Sequence, residues 1–301
     1  MMQKPDLSVI VVGLNASEFV DQCWRTVKSD GGSADFKMEL IYVDNGSTDD
    51  TLEVLRNTHP DVIVIENDSN LGFCKAANQG ARIAESDMLC FINDDVIIMD
   101  GALERLTQYV RDTPKIGVAG ARLLNVDKTD QWSGRRFPTV LNGLFARRSP
   151  IAKFAPNAGP LRRYLYRDEI EAAVPFEADW VSAAGMVSPA DVFFDVGCFD
   201  ESYYYWHEAV FCDRIARAGY KVMLHTDAKI VHYEGFGSGK RDPARQRWHI
   251  RDFHLGAFRC YLEHHQVGRF APRAVMARCL LSLRKLLLLG ISHASERLGS
   301  R

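Results

Sequence analysis

The chain has 301 residues, is 47% hydrophobic and carries a formal net charge of −2, enough for one large or two small domains around a sizeable core. Its seven cysteines are odd in number and scattered, with no zinc-ligand or C-x-x-C spacing. That excludes a disulfide framework and reads as reduced thiols in a cytoplasmic protein. The charge is uneven: residues 240–301 hold 13 Lys/Arg against 4 Asp/Glu, a local +9 that leaves −11 on the first 239.

Met1 to Asp6 is short and polar, unlike a signal peptide. Leu7 to Gly13 is a continuous β-branched run, the signature of a strand buried on both faces. A helix is predicted over Ala16–Lys28, a strand over Met38–Val43, and a helix over Asp49–Asn57 capped by Ser47 or Thr48. A strand at Val62–Ile65, a helix at Gly72–Ala84 and a strand at Met88–Ile92 follow. A helix at Gly101–Arg111 and a strand at Ile116–Ala119 complete the regular part. Strands alternating with helices predict an α/β fold with a mostly parallel, doubly wound sheet over roughly residues 5–125.

Beyond this the regularity fades. Residues 125–175 read as loops and short helices, a candidate lid. Asp179–Val187 is a predicted strand and Ala190–Phe194 a short helix. Ala209–Ala218 is another helix, and Lys221–Leu224 and Lys229–Val231 are short strands. From Arg245 the pattern is helical. Leucines 280, 281, 283 and 286–289 form an apolar stretch broken by Arg284 and Lys285, too short and too charged to span a bilayer. It suits either a basic amphipathic helix on an anionic inner membrane or a helix packed on the protein or in a homodimer.

The Met88–Ile92 strand ends abruptly in Asn93-Asp94-Asp95. Ligands of open α/β sheets bind at the carboxyl ends of strands. Hard carboxylate oxygens there suit Mg²⁺ or Mn²⁺ bridging a diphosphate, and a helix cap is the plain alternative.

Several segments together resemble a known family. They are Val43-Asp44-Asn45-Gly46-Ser47-Thr48-Asp49-Asp50-Thr51, Asn70-Leu71-Gly72-Phe73, Ala77-Asn78-Gln79-Gly80 and the Asn93-Asp94-Asp95 turn. Gly197-Cys198-Phe199-Asp200-Glu201, Arg217-Ala218-Gly219-Tyr220 and Val231-His232 follow. In this order they resemble the family 2 glycosyltransferases of GT-A fold, across roughly residues 7–238. Arg135-Arg136-Phe137-Pro138-Thr139 and Asp179-Trp180-Val181 resemble the rhamnosyltransferase branch most.

The resemblance implies a GT-A (Rossmann-like) catalytic domain over residues 1–240 and a basic helical extension over 241–301. It implies a dTDP- or UDP-sugar donor, a glycan or lipid-linked glycan acceptor, and Mn²⁺ or Mg²⁺. Asp44 would meet the base or ribose, bordered by Gly13, Leu14 and Asn15. Gly72 and Gly80 would allow close backbone approach, with Asn78 on the nucleotide-sugar side. Asp95 takes the last acidic position of the D-x-D motif and Asn93 the first. Asp94 points elsewhere or assists through water. His232 matches a histidine that completes the metal site; a satisfied structural histidine is the alternative. Arg135 and Arg136 are candidates for a diphosphate clamp, or else an exposed, solvated pair.

The general base depends on the alignment. Counting back from Arg217-Ala218-Gly219-Tyr220 puts Glu208 on the base position. Counting forward from Phe199-Asp200-Glu201 puts Ala209 there and leaves no base. The gapless count is preferred, because loops absorb deletions. Expected, then, is an inverting hexosyltransferase, best read as moving L-rhamnose onto a bacterial surface polysaccharide or lipid-linked glycan, at the cytoplasmic face of the inner membrane. The rivals are a nucleotide-sugar-binding protein with a decayed site, suggested by Ala209-Val210, and a nucleic-acid binder, which lacks a recognition motif. The Tyr203-Tyr204-Tyr205-Trp206 run is either an acceptor-stacking surface or core.

Overall fold

The computed structural model describes residues 4–30, 35–137, 139, 158–233 and 243–299. Much of the 125–175 segment, with Pro138, and the Gly235 to Ser238 stretch lie outside them. Strands β1 (Leu7–Gly13), β2 (Met38–Asp44), β3 (Ile63–Glu66) and β4 (Met88–Asn93) alternate with helices α1 (Val20–Ser29), α2 (Thr51–Thr58) and α3 (Phe73–Ile83). Next come β5 (Val96–Ile98), α4 (Ala102–Asp112), β6 (Ile116–Leu124), β7 (Gly134–Arg135), α5 (Gly159–Tyr164) and α6 (Arg167–Glu171). They are followed by β8 (Phe176–Glu177), β9 (Trp180–Val181), β10 (Met186–Pro189), α7 (Ala190–Asp195), α8 (His207–Arg217) and β11 (Lys221–His232). Long helices α9 (Pro243–His264) and α10 (Pro272–Gly299) complete the order.

The main sheet runs β3-β2-β1-β4-β10-β6-β11-β5, with β8 also on β11. β3, β2, β1 and β4 are mutually parallel, as are β6 and β11. β10 lies antiparallel between β4 and β6 and joins the two parallel groups. All seven residues of β1 are buried, because its neighbours cover both edges and helices cover both faces. One core, with Phe91, Phe193, Phe199 and Phe211, lies under α3, α7 and α8. The other, with Trp24, Tyr42 and Leu106, lies under α1, α2 and α4. Gly80 of α3 packs so closely that a Cβ there would fall 2.6 Å from Ile10 Cγ2. Its role is helix-to-sheet packing, not approach to a ligand.

Several boundaries differ from expectation. α1 begins at Val20 rather than Ala16, and the residues before it are tied to the segment after β2: Asn15 donates to Ser47 Oγ, Ala16 to Thr51 Oγ1 and Ser17 to Asp49 Oδ2. The expected Asp179–Val187 strand divides into β9 and β10. The break falls at Gly185, whose added Cβ would meet Ile230 Cδ1 at 2.7 Å. The two predicted strands near residue 225 are one, β11, with a register shift between His225 and Lys229. β5 has no counterpart in the sequence reading, and it positions the candidate site.

Candidate active site

The carboxyl ends of β1, β2 and β4 lie side by side, with Gly13 opposite Asp44 and Val12 opposite Asn93. β5 turns back after Asp95 and pairs antiparallel with β11, setting Val96 opposite His232. The Tyr233 N–H donates to the Asp95 carbonyl at 2.9 Å. This register brings Asp95 and His232, far apart in sequence, to one place.

His232 Nε2 stands 3.2 Å from Asp95 Oδ1 and 3.1 Å from Asn93 Nδ2. Oδ1 is buried and has no hydrogen-bond partner, although the imidazole nitrogen lies within ion-pair range. The other ring nitrogen, Nδ1, is 2.9 Å from Gln131 Oε1. An amide oxygen only accepts, so Nδ1 carries the proton and Nε2 keeps its lone pair. An orphaned carboxylate oxygen beside an unprotonated imidazole nitrogen, whose one partner here is the Asn93 amide, fits a divalent cation that would displace that amide. Among the described residues no group of three or more His, Cys, Asp or Glu could enclose one. The rest of the shell would come from a diphosphate and water.

Asp94 does not join this pair. It turns back toward β1, where Oδ2 accepts the Leu14 N–H at 3.2 Å. Burial, and then the charge of Asp95, push its carboxyl well above the usual range. A Cβ on Gly13 would fall 1.9 Å from Tyr42 Oη and 2.5 Å from Asp94 Oδ2, so only glycine fits between them. Tyr42 Oη is itself buried without a hydrogen-bond partner.

The Asp44 to Thr51 segment is a set of caps. Buried Asp44 accepts from the Gly46 and Ser47 N–H groups at 3.1 and 2.8 Å and from the Ser47 hydroxyl. Asn15, in the left-handed region at φ 53°, accepts the Thr48 N–H at 2.7 Å. Ser47 therefore ties two strand-end loops together instead of capping α2. Gly72 opens α3 at φ 84°, the left-handed region that favours glycine, and a Cβ there would meet no protein atom.

The structure takes three other candidates away from this edge. Asn78 is buried, donating to the Phe199 carbonyl at 2.9 Å and to Glu201 at 3.1 Å, and accepting the Phe199 N–H at 3.2 Å. Its amide is used in fixing the loop after α7. Arg135 lies on a two-stranded ribbon of β7 and β9, and Arg136 follows it. The Arg135 guanidinium lies 4.8 Å from the Trp180 ring centre, and that of Arg136 lies 4.3 Å from Tyr166. Each guanidinium is thus engaged by a different aromatic ring. The two rhamnosyltransferase-like segments are partners in this ribbon: the Phe137 N–H donates to Asp179 Oδ2 at 2.6 Å, and Trp180 Nε1 to the Arg136 carbonyl at 3.1 Å.

Glu208 lies in the first turn of α8, largely buried, with its Oε2 3.5 Å from His207 Nε2. Ala209 and Val210 are buried in the core, so Glu208 is the acid this turn presents. The aromatic run before it anchors α9. Tyr203 Oη donates to Glu263 at 2.6 Å, Tyr205 Oη is 3.0 Å from His249 Nδ1, and Trp206 Nε1 donates to the Phe253 carbonyl at 3.0 Å. Tyr204 is the exposed member. Gln131 and Tyr42 were not legible as site residues: one is a lone amide in an irregular segment, the other an ordinary strand tyrosine.

Glycosyl transferase family 2 matches residues 8–168. An N-acetylglucosaminyl-diphospho-decaprenol L-rhamnosyltransferase of Mycobacterium tuberculosis is 26% identical over 274 residues, 86% of each chain. The mannosyltransferase PcManGT from Pyrobaculum calidifontis, solved with GDP-Man and Mn²⁺, superposes with a TM-score of 0.60. It has 18% identity, and the match covers 99% of this chain and 76% of that one. GalNAc-T7, solved with UDP, GalNAc and Mn²⁺, gives a TM-score of 0.54 at 14% identity, covering 82% of this chain and 48% of its own. Sheet order and sequence agree: the chain belongs to glycosyl transferase family 2, a glycosyltransferase of GT-A fold.

Proposed function

We propose that the protein transfers L-rhamnose from dTDP-L-rhamnose, with inversion, to a hydroxyl of a lipid-linked glycan. The observation that carries the proposal is the Asp95–His232 pair with its unsatisfied Oδ1. The mycobacterial rhamnosyltransferase supports the sugar and the acceptor class. Asp95 and His232 would hold Mn²⁺ or Mg²⁺, which when bound offsets the charge of the diphosphate leaving group. Glu208 accepts the proton of the acceptor hydroxyl. The acceptor oxygen attacks C1 as the C1–O bond to the diphosphate breaks, and the electron pair leaves with dTDP. Much of the rate comes from holding donor and acceptor in line.

A thermal-shift screen of dTDP-, UDP- and GDP-sugars with Mn²⁺ tests the donor, since a ligand of the folded state raises its melting temperature. Glu208→Gln should keep donor binding and lose transfer. Normal transfer by this variant, or a product with retained anomeric configuration, overturns the mechanism.

The acceptor class also suits the outer face of α10. Met276, Leu283, Leu286, Leu287 and Ile291 are exposed there, and Phe270 just before the helix is 76% exposed. Arg273, Arg278 and Lys285 flank this apolar stripe. No helix among the described residues is long and apolar enough to cross a membrane. An apolar stripe with basic borders matches the surface of an anionic bilayer.

A further inference from the structure

Helix α10 also points a residue inward. Arg284 is half-buried beneath α9, with Nη1 3.2 Å from His254 Nε2 and its guanidinium 5.6 Å from the Phe253 ring centre. His254 Nδ1 is 2.6 Å from the Ile250 carbonyl, which only accepts, so Nδ1 carries the proton. Burial, with the charges of Arg284 and Lys285, pulls the imidazole pKa down, so Arg284 faces a neutral ring. No carboxylate among the described residues pairs with it. Burial draws its own pKa down as well. A half-buried cation without a counter-ion is an odd choice for stability and a suitable one for an anionic ligand.

Arg284 stands at one end of a run of tilted ring contacts. Phe253 lies 5.2 Å from Trp206, Trp206 lies 6.0 Å from Trp180, and Arg135 covers Trp180. Trp206 is two residues before Glu208. Guanidinium groups suit phosphate oxygens.

We propose that Arg284 binds the phosphate or diphosphate that links an acceptor sugar to its lipid. This rests on the lipid-linked acceptor reading above and adds the group that recognises the linkage. The same helix then serves both halves of one molecule: Arg284 takes the charged linker, and the outward leucines face the apolar tail.

Titration calorimetry with geranyl diphosphate, the donor cleft saturated with dTDP and Mn²⁺, tests the site. Arg284→Gln should bind at least tenfold more weakly than the wild type, with dTDP affinity unchanged. Geraniol and inorganic pyrophosphate should bind poorly to both. Equal affinity in wild type and variant overturns the proposal. So does Arg284-dependent binding to anionic phospholipid vesicles with no binding of geranyl diphosphate, which would make the group a headgroup contact. Should Arg284→Gln fail to fold, phenylglyoxal labelling of the wild-type protein decides. Geranyl diphosphate must protect Arg284, and unprotected labelling sinks the idea. If Arg284-dependent binding is found but no sugar reaches any lipid-linked acceptor, the anion site stands and the transfer reading falls. Transfer unaffected by Arg284→Gln gives the reverse.

Discussion

Gln131 holds His232. Its Oε1 lies 2.9 Å from Nδ1, and its Nε2 donates to the His232 carbonyl, so one amide fixes both the tautomer and the backbone of the residue facing Asp95. Partners of this kind set the affinity of imidazole metal ligands, and their loss typically costs about 10–100-fold. Gln131→Leu should therefore weaken Mn²⁺ binding by that order while leaving the fold intact. Calorimetric Mn²⁺ titration in the presence of dTDP checks it. Affinity within twofold of the wild type would mean that His232 is not a ligand.

Gly13, Tyr42 and Asp94 share a space with no spare volume. Gly13→Ala puts a methyl 1.9 Å from Tyr42 Oη and should destabilise by roughly 1–3 kcal/mol, the usual cost of overpacking. Tyr42→Phe removes a buried hydroxyl that has no partner, so it should be neutral or stabilising by up to about 1 kcal/mol. The two changes together should then cost less than their sum, because the nearest of the clashing atoms is gone. Urea midpoints of the four proteins measure this coupling, and strict additivity would contradict the packing.

The parallel strands were legible because burial on both faces writes an unbroken apolar run, as in Leu7 to Gly13. The motif around Asp44 was legible too, although its carboxylate turned out to cap its own turn. β5 was not legible: Val96 to Ile98 is three residues long, and its pairing is set by a partner more than a hundred residues away. Long-range register leaves no local trace. The same holds for Gln131, and for Asn78, whose partners Phe199 and Glu201 lie beyond any local window. The aromatic run 203–206 was ambiguous because ring type alone does not tell a sugar platform from the seat of a later helix.

Asp213 of α8 ties the C-terminal helices to the catalytic body. Its Oδ1 is 2.8 Å from His264 Nδ1, and its Oδ2 accepts from Arg217 Nε at 2.7 Å. Burial pushes its pKa up, but hydrogen bonds and charge from His264 and Arg217 outweigh that and hold the carboxyl below its usual range. A depressed carboxylate contributes stability above its unfolded value of about 3.9 and loses it as the pH falls through the lower folded value. Asp213→Asn should cost about 2 kcal/mol near neutrality, the order for charged hydrogen bonds. Its deficit should close as the pH approaches 3. Urea midpoints from pH 3 to 7 test this, and a deficit that does not vary with pH would show that the charge is not responsible.

The outer face of α10 makes the last prediction. Leu283, Leu286 and Leu287 are each more than half exposed on consecutive turns, where a helix of a water-soluble surface would carry polar groups. Exposed apolar area of this kind needs a covering, and basic borders favour an anionic one. The protein should sediment with vesicles containing phosphatidylglycerol and stay in the supernatant with phosphatidylcholine alone. Leu283→Glu with Leu287→Glu should reduce binding at least tenfold without lowering the melting temperature, because neither side chain supports the core. High salt should weaken binding through the arginines but not abolish the apolar part. If instead the wild-type protein is a dimer by light scattering and the double substitution makes it a monomer, a second copy covers this face and the bilayer reading is wrong.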